Sequence, residues 1–206
     1  MNIYKIDDLD KITLTYFEYN YNAKKIYNYI DNIITDLCGP SLKKIDFLGI
    51  TFTNKKRNPS ITYLGKLDSQ KEPKEFVIDL PITAKDDLIY FVYYISHEKV
   101  HALSPSYLNK PKCFEEGMAH LMSQYVLECF FKDYPDIEPI KLESNASYGK
   151  YDECKAKMID LFVKNQNWYI IKEIREIEPD LRKINKEHFI KYTKESNLLN
   201  FLISDF

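Results

Sequence analysis

Hydrophobic residues recur along this chain with two different periods, and the change between them divides it. The first clear helical period falls in NAKKIYNYIDNIITDLCG. There Ile26, Ile30, Ile33, Ile34 and Leu37 share a face, and Gly39-Pro40 ends the run. Three segments rich in β-branched and aromatic residues follow: KIDFLGITFT, SITYLGKL and EFVIDLP. Each is bounded by Pro, Asn or charged turns and reads as a strand. KITLTYFEY, near the start, is a candidate fourth. After Pro81 the helical period returns. A long helix is predicted over residues 83–103, with Thr83 and Asp86 as an N-terminal capping pair. Leu88, Phe91, Val92 and Ile95 form its apolar face, and Ser104-Pro105 is its stop. A second helix is predicted over 114–132. Helical segments then continue to the C-terminus, with breaks near Pro135, Pro139 and Pro179.

Strands first and helices after predict an α+β fold. The 206 residues suit a single domain, with approximate lobes 1–103 and 104–206. The first lobe carries a small mixed sheet and the 83–103 helix; the second is mainly helical. The chain is 45% hydrophobic and 29% charged, a balance that supports a buried core rather than disorder. Its formal net charge of −2 gives no electrostatic case for nucleic acid or an anionic membrane surface. No apolar run reaches the roughly 18 residues that span a bilayer. The start, MNIYKIDDLDKITLTY, has early acids and no apolar signal core. The expectation is a cytoplasmic protein, with non-classical release as another route. Cys38, Cys113, Cys129 and Cys154 are widely spaced without a CxxC pair, so reduced thiols are expected.

The candidate chemistry sits in the 83–103 helix. His97-Glu98-Lys99-Val100-His101 is an HExxH sequence. On a helix, positions i and i+4 lie one turn apart on one face, so both imidazoles can reach one ion. Glu98 is turned about 100° from His97. That places a carboxylate beside the ion, where it can take a proton from a bound water. A catalytic zinc site usually has three protein ligands and one open position. The following helix opens with CFEEGMAHLMSQ, and Glu115 or Glu116 is positioned to supply the third. The two point about 100° apart, so only one is expected to face the ion.

HExxH followed by a helix reading E-G-x-A resembles the gluzincin metallopeptidases over roughly residues 76–126. The matching residues here are His97, Glu98, His101, Glu116, Gly117 and Ala119. The resemblance implies a zincin-like fold. It implies Zn²⁺ held by His97, His101 and Glu116, with Glu98 as general base. It also implies that the EFVIDLP strand lies along the cleft edge, where an extended polypeptide substrate would add. Gly117, lacking a Cβ, is expected to let the second helix approach the first closely.

Other residues are weighed against plainer roles. His120, four residues after Glu116, is either a partner to a ligand or substrate, or a partly buried histidine with no role. Some gluzincins carry an Asp at this spacing. Tyr151, leading the amphipathic stretch with Met158, Leu161 and Phe162, is preferred over Tyr148 as donor to a developing oxyanion, and His188 is a further candidate. In a chain with 17 tyrosines such a match arises easily by coincidence. Lys99 is expected to be solvated, and Cys113 to be a small buried thiol rather than a nucleophile. The expected function is zinc-dependent hydrolysis of an extended polypeptide. The rivals are a peptidase-like interaction module with structural zinc, and a regulatory protease of narrow specificity. The aromatic tail NLLNFLISDF is expected to be a packed terminal helix, with self-inhibition of the cleft as the alternative.

Overall fold

Asn22 starts the first long helix by accepting a hydrogen bond from the Lys25 amide, the usual way a short polar side chain satisfies an orphan N–H. A computed structural model of the protein describes residues 3–16, 19–42, 46–54, 58–64, 74–105, 110–137 and 149–206. Strands β1 (Thr13–Tyr16) and β2 (Tyr19–Asn22) form an antiparallel hairpin that leads into α1 (Ala23–Cys38). KITLTYFEY therefore enters a separate two-stranded sheet rather than joining the other strands.

The main sheet is mixed. Strands β3 (Asp46–Thr53), β4 (Ser60–Leu64) and β5 (Glu75–Pro81) are ordered β3-β5-β4, with β3 parallel and β4 antiparallel to β5. EFVIDLP is thus the central strand, not the cleft edge. Its near-continuous burial from Phe76 to Pro81 fits a strand covered on both sides. At Gly49 the register slips and φ is 145°, where a Cβ would sit 2.2 Å from the Tyr4 carbonyl oxygen. Glycine there lets residue 4 pair with Ile50 along the outer edge of β3.

The helix predicted over 83–103 is two helices. A single turn, α2 (Thr83–Asp86), is separated from α3 (Leu88–His101) by extended backbone at Asp87. The Asp87 carboxylate accepts from the amides of Ile89 and Tyr90. A side chain that caps one helix cannot continue another through itself, so the start moves to Leu88. The second site helix, α4 (Cys113–Asp133), matches its expected span within a residue at each end. Beyond it lie α5 (Gly149–Asn165), α6 (Ile170–Ile177), α7 (Lys186–Phe189) and α8 (Ser196–Leu202). The tail is a packed helix, with Leu198, Leu199 and Leu202 buried. Among the described residues, no helix is long and apolar enough to cross a membrane.

Helix α3 packs between α1 and α4, and α4 packs in turn on α5. Both central helices bury residues around most of their circumference, as helices at the middle of a core must. One hydrophobic cluster runs from Leu9 to Leu202. Arg175, 5% exposed, ties the layers together on the α6 side. Its guanidinium donates to the carbonyls of Cys38, Gly39, Pro40 and Pro179, with the Cys38 and Pro40 bonds at 2.6 Å. These include carbonyls left unpaired at the end of α1.

Arg175→Leu is therefore expected to cost about 3 kcal/mol or more in urea unfolding, because several buried carbonyls lose their donor. Lys172→Ala, one turn away and partly exposed beside Asp36, is expected to cost under about 1 kcal/mol.

Candidate metal centre

The C-terminal end of α3 carries His97 and His101, and the first turn of α4 carries Glu115 and Glu116. Crossing of the two helices brings these side chains together. His97 Nε2 and His101 Nε2 are 3.2 Å apart. Glu116 places Oε2 3.6 Å from His97 Nε2 and Oε1 3.6 Å from His101 Nε2. Ligands around a tetrahedral Zn²⁺-sized ion at about 2.0–2.1 Å lie roughly 3.3 Å from one another. His97, His101 and Glu116 are accordingly positioned to hold a metal ion.

Two further observations test that fit. Glu116 Oε2 is buried and has no hydrogen-bond partner among the described residues. A buried carboxylate oxygen left unpaired is costly, and a cation coordinated there would satisfy it. The second observation is the contact of His101 Nδ1 with Glu115 Oε1 at 2.7 Å. An imidazole that donates Nδ1–H to a carboxylate presents its Nε2 lone pair to the ion and is held in orientation. Glu115 and Glu116, expected to compete for one place, serve two atoms of the same small cluster. The consecutive pair on a helix was visible in the sequence; that the second glutamate would meet a ligand's other nitrogen depends on the helix crossing.

The electrostatics follow the same division. Burial holds His97 neutral, pushing its pKa well below the ordinary value, with the adjoining His101 and His120 imidazoles adding to the effect. Burial opposes the charged form of His101 as well, but the Glu115 hydrogen bond and the nearby carboxylates outweigh it and raise its pKa. Without a metal, His101 as imidazolium can donate to Glu115 and towards His97. A divalent cation would take the place of that shared proton. Burial also raises Glu116 above the usual carboxylate range, with His101 opposing and Glu115 assisting.

Other candidates fall around this centre. Glu98 is 4% exposed and lines a cavity of about 290 Å³ together with the two histidines, Glu115 and Glu116. Tyr151, from the first turn of α5, lines the same cavity. Ser60, Ile61 and Tyr63 of edge strand β4 form another part of its wall, a contribution the sequence did not single out. His120 packs its ring against His97 at 4.9 Å and nearly perpendicular, against Tyr151 at 4.8 Å, and sets Nδ1 3.1 Å from the Tyr93 hydroxyl. Burial, with the Lys155 charge, pushes its pKa down to about 4, so it is a neutral neighbour of the cluster.

Several expectations change. Lys99 is not solvated: it is 7% exposed, with Nζ 2.5 Å from Asp31 and 3.2 Å from the Tyr27 hydroxyl. Two positions after His97 on a helix, it points away from the site and onto α1. Gly117 does not face α3. A Cβ there would lie 2.4 Å from the Cys154 carbonyl oxygen, so it admits α5 instead. His188 caps α7 together with Asn185 and is not a lining residue of the cavity. Cys113 is fully buried, with Sγ 3.3 Å from Ser204 Oγ. Tyr148 lies outside the described residues.

In comparisons with family models, curated proteins and solved structures, nothing matches this chain.

Glu115→Ala, which removes no ligand atom, is expected to weaken divalent-metal binding about 10–100-fold in a titration against a chromophoric chelator. Addition of metal is expected to raise the thermal midpoint of the wild type and leave that of Glu116→Ala nearly unmoved. Equal affinities for Glu115→Ala and wild type would remove any orienting role for that contact.

Proposed function

We propose that the protein is a zinc-dependent peptidase that hydrolyses a bond within an extended polypeptide. The observation that carries this reading is the convergence of His97, His101 and Glu116, whose Oε2 has no hydrogen-bond partner among the described residues, on the wall of a cavity that Glu98 also lines. Two imidazoles and one carboxylate are a ligand set suited to zinc. The HExxH…EGxA residues add the gluzincin resemblance to that chemistry.

Bound zinc would polarise the scissile carbonyl and bring the pKa of an attacking water to about 7. The chain's own residues have distinct tasks. Glu98 accepts the proton of the attacking water and returns it to the leaving amine. Its burial limits competing solvent contact, which strengthens a charge-based interaction there. Glu115 holds His101 in the required tautomer through the 2.7 Å contact. Tyr151, at the cavity wall, donates a hydrogen bond to the oxyanion as it develops. His120 packs between the His97 and Tyr151 rings and restricts both. Edge strand β4 offers its outer backbone to a substrate strand, a common way to hold an extended peptide.

Glu98→Gln is expected to keep stoichiometric zinc and lose at least about 10²-fold in hydrolysis of a peptide library. Persistence of full activity in that variant, or stoichiometric zinc in the wild type with no peptide cleaved, would refute the proposal. Tyr151→Phe is expected to lower kcat by about 10²-fold with little change in KM, the signature of an interaction made mainly in the transition state.

A further inference from the structure

Tyr151, which donates to the oxyanion in the proposed reading, stands in the first turn of α5. The backbone ladder of a helix is incomplete there, so a first turn frays unless outside contacts fix it. Residues 204–206 supply such contacts. The Cys113 amide donates to the Ser204 carbonyl and the Phe206 amide to the Pro111 carbonyl, both at 2.9 Å. Lys112 and Asp205 face each other between them as an antiparallel bridge. The segment is thus laid along the entry to α4, where its Ser204 carbonyl takes one of the orphan amides of that helix. Helix α8, just before it, is anchored by buried Leu198, Leu199 and Leu202. From this footing the segment reaches α5 at two adjoining residues. Lys150 Nζ donates to the Asp205 carbonyl at 3.1 Å and lies 4.9 Å from the centre of the Phe206 ring. The Phe206 ring lies 4.3 Å from that of Tyr151, tilted by 50°. Tyr151 therefore touches two rings, His120 carried by α4 and Phe206 carried by the segment.

We propose that Phe206 is a positioning residue, which holds the Tyr151 ring at the cavity wall where its phenol serves the reaction. The inference rests on the peptidase reading for what the phenol does; the holding itself is a property of the chain. Two rings at this separation and tilt attract one another beyond what burial alone provides, and each restricts the other's rotation. A donor to a developing oxyanion acts only within hydrogen-bond reach, so a displacement of about 1 Å removes most of its effect. Phe206 is not a lining residue of the cavity, so its influence on the reaction runs through Tyr151.

The first test uses the full chain with Tyr151 replaced by meta-fluorotyrosine and read by fluorine NMR. One resonance with the width of an ordered ring is expected when Phe206 is present. Phe206→Ala is expected to narrow that line towards the line of the urea-unfolded protein, or to split it, while zinc affinity changes by less than about twofold. The second readout is kinetic, on the zinc-loaded protein with its native Tyr151. Phe206→Ala is expected to lower kcat by about tenfold and to leave KM within about twofold, as befits a misplaced donor to the transition state. In the Tyr151→Phe background the same substitution is expected to change kcat by less than about twofold, because a ring without its hydroxyl has nothing left to position. Should Phe206→Ala lose zinc as well, Phe206→Leu, which keeps apolar bulk without a flat ring, takes its place in both measurements. An unaltered fluorine line, or an equal loss of kcat with and without the Tyr151 hydroxyl, overturns the inference. Failure of the peptidase reading is separate: wild-type protein would cleave no peptide, and the fluorine line alone would decide whether Phe206 holds Tyr151.

Discussion

A missing methyl group at Gly117 sets the spacing on which the rest of the centre depends. The Cys154 carbonyl occupies the place where a side chain would begin, so α5 lies directly against α4. Helix α4 is thereby fixed on both sides. One side turns Glu115, Glu116 and His120 towards α3; the other receives α5. Tyr151 stands one turn before Cys154, so its place beside His120 is a consequence of that contact. Phe206 then packs on the far side of Tyr151, with ring centroids 4.3 Å apart, while the adjoining backbone pairs with residues 111–113.

The same geometry explains which features were legible in the sequence. Periodicity located α1, through its apolar face and its Gly39-Pro40 stop, and β-branched and aromatic runs bounded by turns located the three strands of the main sheet. HExxH announced itself because its meaning is contained within one turn of one helix. What periodicity cannot express is the identity of the neighbour. Lys99 reads as one more charged residue on a helix until α1, with Asp31 and Tyr27, is placed behind it. Gly117 reads as a close-packing position, but the element packed there was α5 rather than α3. Asp87 was passed over because a capping carboxylate one residue before Leu88 is indistinguishable, by composition alone, from a polar residue inside a longer helix.

Glu115 illustrates the point at the site itself. A separation of about 100° on one helix suggests that neighbouring residues serve different surfaces. An imidazole, however, has two nitrogens facing different directions. One glutamate can approach Nε2 while the next approaches Nδ1, so the pair converges on one side chain. The two carboxylates that approach the two nitrogens of His101 are therefore adjacent in the chain. EFVIDLP teaches the complementary lesson: its apolar run marked a strand correctly, yet continuous burial is the mark of a central strand, and the exposed edge belongs to β4.

Arg175 has a consequence for how the molecule comes together in time. Its guanidinium joins carbonyls 135 to 137 positions earlier in the chain, and the end of α3 through Leu103, 72 positions earlier. Closing loops of that length has an entropic cost that only the finished contact offsets, which places such contacts late in folding. The contact with Leu103 ties the segment just beyond α3 to α6. The candidate cluster is different: His97, His101 and Glu116 lie on consecutive helices that pack directly on one another, so their convergence does not require the Arg175 closure.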